Sequence, residues 1–166
     1  MISSLGSSFL IIALFLNIYT IFSMGIFLKY KKYQFKISSI NSLYCSTLLI
    51  ILSSFILIRE LIQSNFNIAY ISKYSSMNTP LIYKITGFWA GMEGSLLFWL
   101  FVLSIYSISV ILMYKNKFSK MMPWVIIILM FIQLFFLIIC CFFEDPFKPA
   151  TNINNNASGL NPLLQH

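Results

Sequence analysis

A carboxylate, Glu93, stands in the stretch Gly87-Phe88-Trp89-Ala90-Gly91-Met92-Glu93-Gly94-Ser95-Leu96-Leu97-Phe98-Trp99, which opens an apolar run that continues to Met113. At membrane depth an ionised acid costs roughly 2.5 to 3.5 kcal/mol on insertion scales, so it usually faces protein or a water-filled cavity. Three roles suit it: an interfacial group that snorkels, a buried partner for a cation such as Lys84 or a residue of another subunit, or a proton-handling or cofactor-facing group. On a continuous helix Gly87, Gly91 and Ser95 are spaced i, i+4, i+8, a small-residue face that lets another helix come close. Glu93, about 200° round the wheel from Gly91, points away from that face. It sits about 9 Å along the helix from Gly87 at 1.5 Å per residue. Trp89 and Trp99 read as belt residues at the membrane surface.

Other chemistry-bearing residues are sparse. His166 is the single histidine, and no second ligand accompanies it, so a metal or haem site held by this chain alone is not expected. Cys45, Cys140 and Cys141 lie in apolar runs without C-x-x-C spacing, which suits buried thiols rather than disulfides. No nucleophile–base set, phosphate loop or carboxylate pair is present in a loop, and Glu144 and Asp145 before Pro146 read as the end of a span. Asn156-Ala157-Ser158 matches a glycosylation sequon within an Asn-rich segment, where such a match arises by chance. The residues suggest no catalytic group and no metal site.

The elements that must position Glu93 follow from composition. In 166 residues 59% are apolar and 9% charged, against about a quarter charged in soluble domains; the chain is an integral membrane protein. Its +7 charge lies in short loops between apolar runs, which reads as a topology signal and not as nucleic-acid binding. Apolar runs at 8–28, 39–58, 87–113 and 123–143 are each long enough to cross a bilayer. The expected fold is therefore all-α with four transmembrane helices over 1–146, then a polar tail over 147–166. In the second run Asn41, Ser42, Ser46 and Thr47 form a polar stripe suited to helix packing. Residues 61–86, with Tyr70, Tyr74 and Tyr83, read as an interfacial connection broken before Pro80. Pro123 fits a helix start, where its missing N–H is not needed.

Basic residues set the expected orientation. Lys29, Lys31, Lys32, Lys36, Lys115, Lys117 and Lys120 lie on one side, and Arg59, Lys73, Lys84 and Lys148 are spread along the other. Positive-inside then places both termini and the 61–86 connection on the outer face, periplasm or intermembrane space. Abundant Phe, Tyr, Ile, Lys and Asn with a single Arg suggest an AT-rich genome, an organelle or a bacterium.

The block Trp89-Ala90-Gly91-Met92-Glu93-Gly94-Ser95-Leu96-Leu97-Phe98-Trp99 resembles the W-G-x-x-E-G-S-L-L-x-W signature of the CcmF haem lyases of cytochrome c maturation, with Ala90 in place of a Gly. Gly159-Leu160-Asn161-Pro162-Leu163-Leu164-Gln165 resembles that family's G-x-D/G-L-N-P-L-L-Q segment downstream. Asn67-Ile68-Ala69-Tyr70-Ile71, Pro80-Leu81-Ile82-Tyr83-Lys84 and Asp145-Pro146-Phe147 resemble further blocks in the same order. The resemblance covers the family's amino-terminal quarter or so, and implies a truncation or a split, mitochondrially encoded form.

It also implies a membrane subunit of a complex that joins haem to the C-x-x-C-H thiols of apocytochrome c. The implied partners are the remaining lyase fragments, a haem chaperone, apocytochrome c and lipid. Haem would be held by the assembled complex and mainly by the partner chain. The mitochondrial inner membrane is the implied location, with a bacterial cytoplasmic membrane as alternative. The matching positions are Trp89, Gly91, Glu93, Gly94, Ser95, Trp99, Asn161, Pro162, Leu163, Leu164 and Gln165, with no catalytic role attached. The rival reading is a small hydrophobic subunit of a proton-translocating respiratory complex, in which an embedded Glu moves protons.

Overall fold

The computed structural model describes residues 2–114 and 120–150. Four long apolar helices make an up-and-down bundle: α1 (Ile2–Tyr30), α2 (Tyr33–Ile62), α5 (Met92–Tyr114) and α6 (Met122–Ile138). Two short helices, α3 (Ala69–Tyr74) and α4 (Leu81–Thr86), lie between α2 and α5, and a 3-10 turn, Gly87–Trp89, leads into α5. A π turn, Ile139–Phe143, ends the last span.

The expected all-α, four-span fold is present, with three adjustments. First, α2 has 30 residues, about 45 Å at 1.5 Å each, against a hydrocarbon core of roughly 30 Å. Its ends therefore stand outside the apolar layer, and the basic loop shrinks to Lys31 and Lys32, with Lys29 and Lys36 inside helices. Lys31 takes a left-handed φ of 57° to make so short a turn. Second, the third long helix begins at Met92 and not at Gly87. Third, chain packing continues past Pro146: Phe147 is buried, and Ile68 pairs with Pro149 in an antiparallel bridge. The bridge is closed by Ala69 N–H to the Lys148 carbonyl, 2.9 Å, and Ala150 N–H to the Asn67 carbonyl, 2.8 Å. Pro123 stands in the first turn of α6, as the sequence implies, and the break expected before Pro80 leads into α4, a helix that the sequence reading did not place.

The hydroxyl stripe on α2 joins it to α1. Ser39 donates to the Thr20 carbonyl (2.9 Å), Ser42 to Leu16 (2.9 Å), Ser46 to Ala13 (3.4 Å) and Ser53 to Gly6 (3.2 Å). The donors fall within an arc of about 60° on α2, and their acceptors descend α1 in antiparallel order. Without competing water, small hydroxyl residues both let backbones approach and bond across the gap, at roughly 0.6 kcal/mol for each such bond.

Two apolar cores fill the bundle. One contains Ile50, Leu57, Leu61, Ile71, Leu97 and Leu137 near the end carrying α3 and α4; the other contains Met24, Leu43, Ile111, Met122 and Ile126 near the α1–α2 turn. Between them a fully buried polar link crosses three helices. Asn17 Nδ2 donates to Gln133 Oε1 at 3.1 Å, and Gln133 Nε2 donates to Ser107 Oγ at 2.9 Å. In turn Ser107 donates to the Leu103 carbonyl, 2.8 Å.

Gln133→Leu should destabilise the bundle by about 1–3 kcal/mol, because it strands the Asn17 amide in an apolar interior. Asn17→Leu combined with Gln133→Leu should recover most of that loss. Unfolding of the two variants in mixed detergent micelles measures the difference; equal losses would show that the pair is not coupled.

Candidate functional site

The chain that prepares Glu93 is broken between Gly87 and Met92, and the break is held open by one tyrosine. Where the 3-10 turn meets α5, Tyr70 of α3 donates its hydroxyl to the Gly87 carbonyl at 2.6 Å and accepts from the Gly91 N–H at 3.2 Å. One phenol thus takes up the Gly91 amide and adds a second, shorter bond to a carbonyl that the Ala90 N–H reaches only at 3.4 Å. Space for the ring comes from glycine. A Cβ on Gly94 would collide with the Tyr70 hydroxyl and the Phe88 carbonyl, and one on Gly91 with the ring of Tyr74. Tyr70 and Tyr74 lie against each other with ring centroids 4.9 Å apart. Burial pushes the Tyr70 hydroxyl well above its ordinary pKa, partly offset by the Gly91 hydrogen bond, with the Glu93 charge adding to the rise.

This geometry corrects two readings from the sequence. Gly87, Gly91 and Ser95 do not share a helix face, because the backbone changes from 3-10 to α geometry between them; each glycine instead admits a different neighbour. Gly87 approaches Leu61 and Gly91 approaches Tyr74. Tyr70 is also no wet interfacial ring, being only 2% exposed.

Glu93 lies in the first turn of α5 and is half-buried. On the helical wheel it falls on the stripe of Leu97, Leu100 and Ser104, which faces the bundle. Its Oε2 is buried without a hydrogen-bond partner. Lys84, offered as its cation, instead donates to Ser64 Oγ at 2.6 Å. Lys73, on α3, feels the Glu93 charge only as a lesser influence. Tyr74, through hydrogen bonding and charge, holds Lys73 above its ordinary pKa, and the Glu93 and Glu144 carboxylates act in the same direction.

Trp89 and Trp99 are exposed, and with Ser95 and Phe98 they line a shallow cavity of about 290 Å³ on the flank of α5. Ser95 donates to the Trp89 carbonyl at 2.9 Å, which ties the turn to the helix. Asn161, Pro162, Leu163, Leu164 and Gln165 lie outside the described residues, as does His166.

The sequence reading missed the more deeply buried acid. Glu60, 1% exposed at the end of α2, accepts from Asn65 Nδ2 at 2.6 Å and meets Arg59 at 3.4 Å, the one ion pair among the described residues. An acid followed five residues later by Asn at a helix end is the only local signal, and it is weak. Asp145 does more than end a span. It accepts from Ser7 Oγ at 3.1 Å and from Phe147 N–H at 2.9 Å, which fastens the start of α1 to the end of the bundle.

No group of three His, Cys, Asp or Glu side chains converges among the described residues. They also contain no histidine. This donor set does not fit an axial haem ligand of the imidazole kind, and none of these residues is assigned to haem.

By fold and site the molecule is an all-α, membrane-type four-helix bundle whose signature block is assembled at one end by α3. The fold matches a solved Cytochrome c Heme Lyase CcmF with a TM-score of 0.80 at 21% identity, over 92% of this chain and 26% of that one. No family model matches the chain. It is 30% identical over 125 residues to the Cytochrome c-type biogenesis protein CycK of Rhizobium meliloti, covering 75% of this chain and 18% of the relative. Identity to CcmF of Haemophilus influenzae is 29% over 103 residues, 61% of this chain and 16% of that protein. Identity to CcmF of Escherichia coli is 26% over 111 residues, 66% of this chain and 17% of that protein. The chain is a homologue of the CcmF, CycK and NrfE cytochrome c-type biogenesis proteins, and spans under one fifth of the length of the relatives it matches. This kinship supports the haem lyase reading over that of a respiratory-complex subunit.

Tyr70→Phe removes both bonds at the break and should lower stability by about 1–3 kcal/mol. Gly94→Ala should cost a similar amount through overpacking, whereas Gly25→Ala, with nothing within 4 Å of its added Cβ, serves as a silent control. Thermal melts in detergent rank the three. Because the folded-state pKa of Tyr70 lies above its ordinary value of 10.0, its contribution is complete below pH about 10 and is lost as pH rises through the folded-state value. The alkaline limb of the stability profile should therefore flatten in Tyr70→Phe, and an unchanged limb would remove Tyr70 from that titration.

Proposed function

We propose that this chain is a membrane-embedded part of a cytochrome c haem lyase, assisting covalent attachment of haem to the C-x-x-C-H thiols of apocytochrome c. The observation that carries this reading is the agreement of the two likenesses. Relatives described as cytochrome c-type biogenesis proteins align over up to 75% of the chain, and the fold matches a CcmF haem lyase over 92% of it. Haem belongs to the assembled complex, with its ligands on the partner portion of the lyase. The further partners in this reading are a haem chaperone and apocytochrome c.

The role proposed for these residues is structural preparation rather than catalysis. Tyr70, Gly91 and Gly94 set the entry angle of α5, and the Glu93 charge acts across that entry on Lys73 and Tyr70 of α3. Trp89, Ser95 and Trp99 remain on the accessible flank, where the rest of the lyase can dock. The end that carries Glu60, Glu93, Glu144 and Asp145 faces outward in this reading, supported by the concentration of lysines at the opposite end. The proposed location is the mitochondrial inner membrane, supported by the AT-rich residue usage; the relatives named are bacterial, and a bacterial cytoplasmic membrane is the alternative.

Glu93→Gln keeps the shape of the side chain and removes its charge. It should lower holocytochrome c several-fold in cells that accumulate the variant normally, read by haem staining. Normal holocytochrome c would remove Glu93 from the function. Pull-down of the native chain should bring apocytochrome c and a haem-binding membrane protein; recovery of a respiratory dehydrogenase or oxidase instead would overturn the assignment. A reporter fused after His166 should be active on the outer face, and activity inside would reverse the orientation.

A further inference from the structure

We infer that the α1–α2 turn binds the phosphate of an anionic phospholipid. Lys31 Nζ and Lys36 Nζ lie 6.0 and 5.8 Å from the centroid of one ring, that of Phe27, so two ammonium groups gather round a single apolar post. Lys36 is also 5.8 Å from the Tyr33 ring, and Lys29 is 5.3 Å from the Tyr30 ring. No carboxylate balances them. The four acidic residues of the chain, Glu60, Glu93, Glu144 and Asp145, all lie at the opposite end of the bundle. The length of α2 separates the two groups by about 45 Å, several times the ~8 Å Debye length of physiological salt.

The turn is built to hold these charges together. Lys31 N–H donates to the Phe27 carbonyl at 2.8 Å, Phe35 N–H to Lys32 at 3.1 Å, and Ser23 Oγ to the Phe35 carbonyl at 3.0 Å. Tyr19 and Ser38 hydroxyls meet at 2.7 Å one turn further in. A rigid backbone fixes the roots of the lysines, so less order is lost when an anion arrives. The amino end of α2 adds to the field through its dipole, and Lys32 at its N-cap makes no side-chain capping bond.

Position selects the source of the anion. Tyr30 and Tyr33 are exposed beside the lysines, at the level where amphipathic rings meet lipid headgroups. A phospholipid offers the phosphate there and lays its acyl chains along the apolar flank of α1, where Phe22 and Ile26 are exposed. A soluble phosphate has no use for that flank.

The test uses the full chain in phosphatidylcholine nanodiscs, titrated with phosphatidylglycerol and followed by native mass spectrometry of the retained lipid. The unsubstituted chain should retain phosphatidylglycerol over phosphatidylcholine. Lys31→Gln with Lys36→Gln should weaken that retention by roughly ten- to thirty-fold, while Lys73→Gln with Lys148→Gln, which removes equal charge at the other end, should leave it unchanged. Lys31→Arg with Lys36→Arg should keep it, which guards against a simple folding defect. Equal weakening by the two Gln pairs would reduce the effect to net charge and overturn the site. So would loss in the Arg pair, or displacement of the lipid by millimolar inorganic phosphate.

Discussion

A polar group inside an apolar layer has no water to bond, so it must find its partner in the protein. Much of the architecture answers that constraint. Serines 39, 42, 46 and 53 of α2 turn to carbonyls of α1, and the amides of Asn17 and Gln133 meet each other and Ser107 between the two apolar cores. Association of apolar helices in lipid lacks the hydrophobic drive that folds soluble bundles. Close packing and directed bonds set the register of α1 against α2 and of α1 against α6. The apolar side chains fill the space those bonds define.

The same constraint governs the break before α5. A helix interrupted between Gly87 and Met92 exposes backbone groups, and irregular backbone at this depth is tolerated only where protein covers it. Tyr70 provides the cover and both hydrogen bonds. Gly91 and Gly94 are the local cost of that arrangement, since each gives up a side chain so that a tyrosine ring can approach. The signature block shared with the haem lyases therefore has an internal mechanical logic. Its Gly91 and Gly94 receive α3, its Glu93 lies on the bundle-facing stripe of α5, and its Ser95 ties the preceding turn to the helix. A block of this kind builds a shaped and charged end on a bundle that would otherwise present four plain helix termini.

Charge is divided as sharply as packing. Acids and bases mingle at the end with α3 and α4, where Glu60, Arg59 and Asn65 form a bonded group and Asp145 holds Ser7. At the α1–α2 turn lysines stand without acids. One end is thus equipped for neutralised contacts with protein, and the other carries uncompensated positive charge at the level of the headgroups.

Much of the fold was legible in the order of the residues. A run of about 20 apolar residues has few alternatives to a spanning helix, so four spans and an all-α class follow from composition and length alone. Pro80 and Pro123 act through their own ring geometry, which is why the break before Pro80 and the start of α6 could be read locally, whereas the helices α3 and α4 on either side of that break could not. Half of the hydroxyl stripe on α2 was visible for the same reason, since helical periodicity alone places Ser42 and Ser46 on one side; Asn41 of that reading is exposed, Thr47 makes no bond to α1, and Ser39 and Ser53 complete the stripe instead. Resemblance of the Trp89–Trp99 block to the haem lyases was likewise carried by residue types and spacing. What surrounds that block was decided only by the tertiary structure. Tyr70 lies 17 residues before the carbonyl it binds, and no local rule distinguishes it from Tyr74 or Tyr83. Glu60, just beyond the second apolar run, is buried, whereas Glu93, for which an interfacial role, a buried partner and a cofactor-facing role all stood open, is half-buried in the first turn of α5. Burial of a charge depends on which distant segment folds over it, and that is set by the packing of α3 and α4 across the bundle end, not by the neighbours of the charge in the chain.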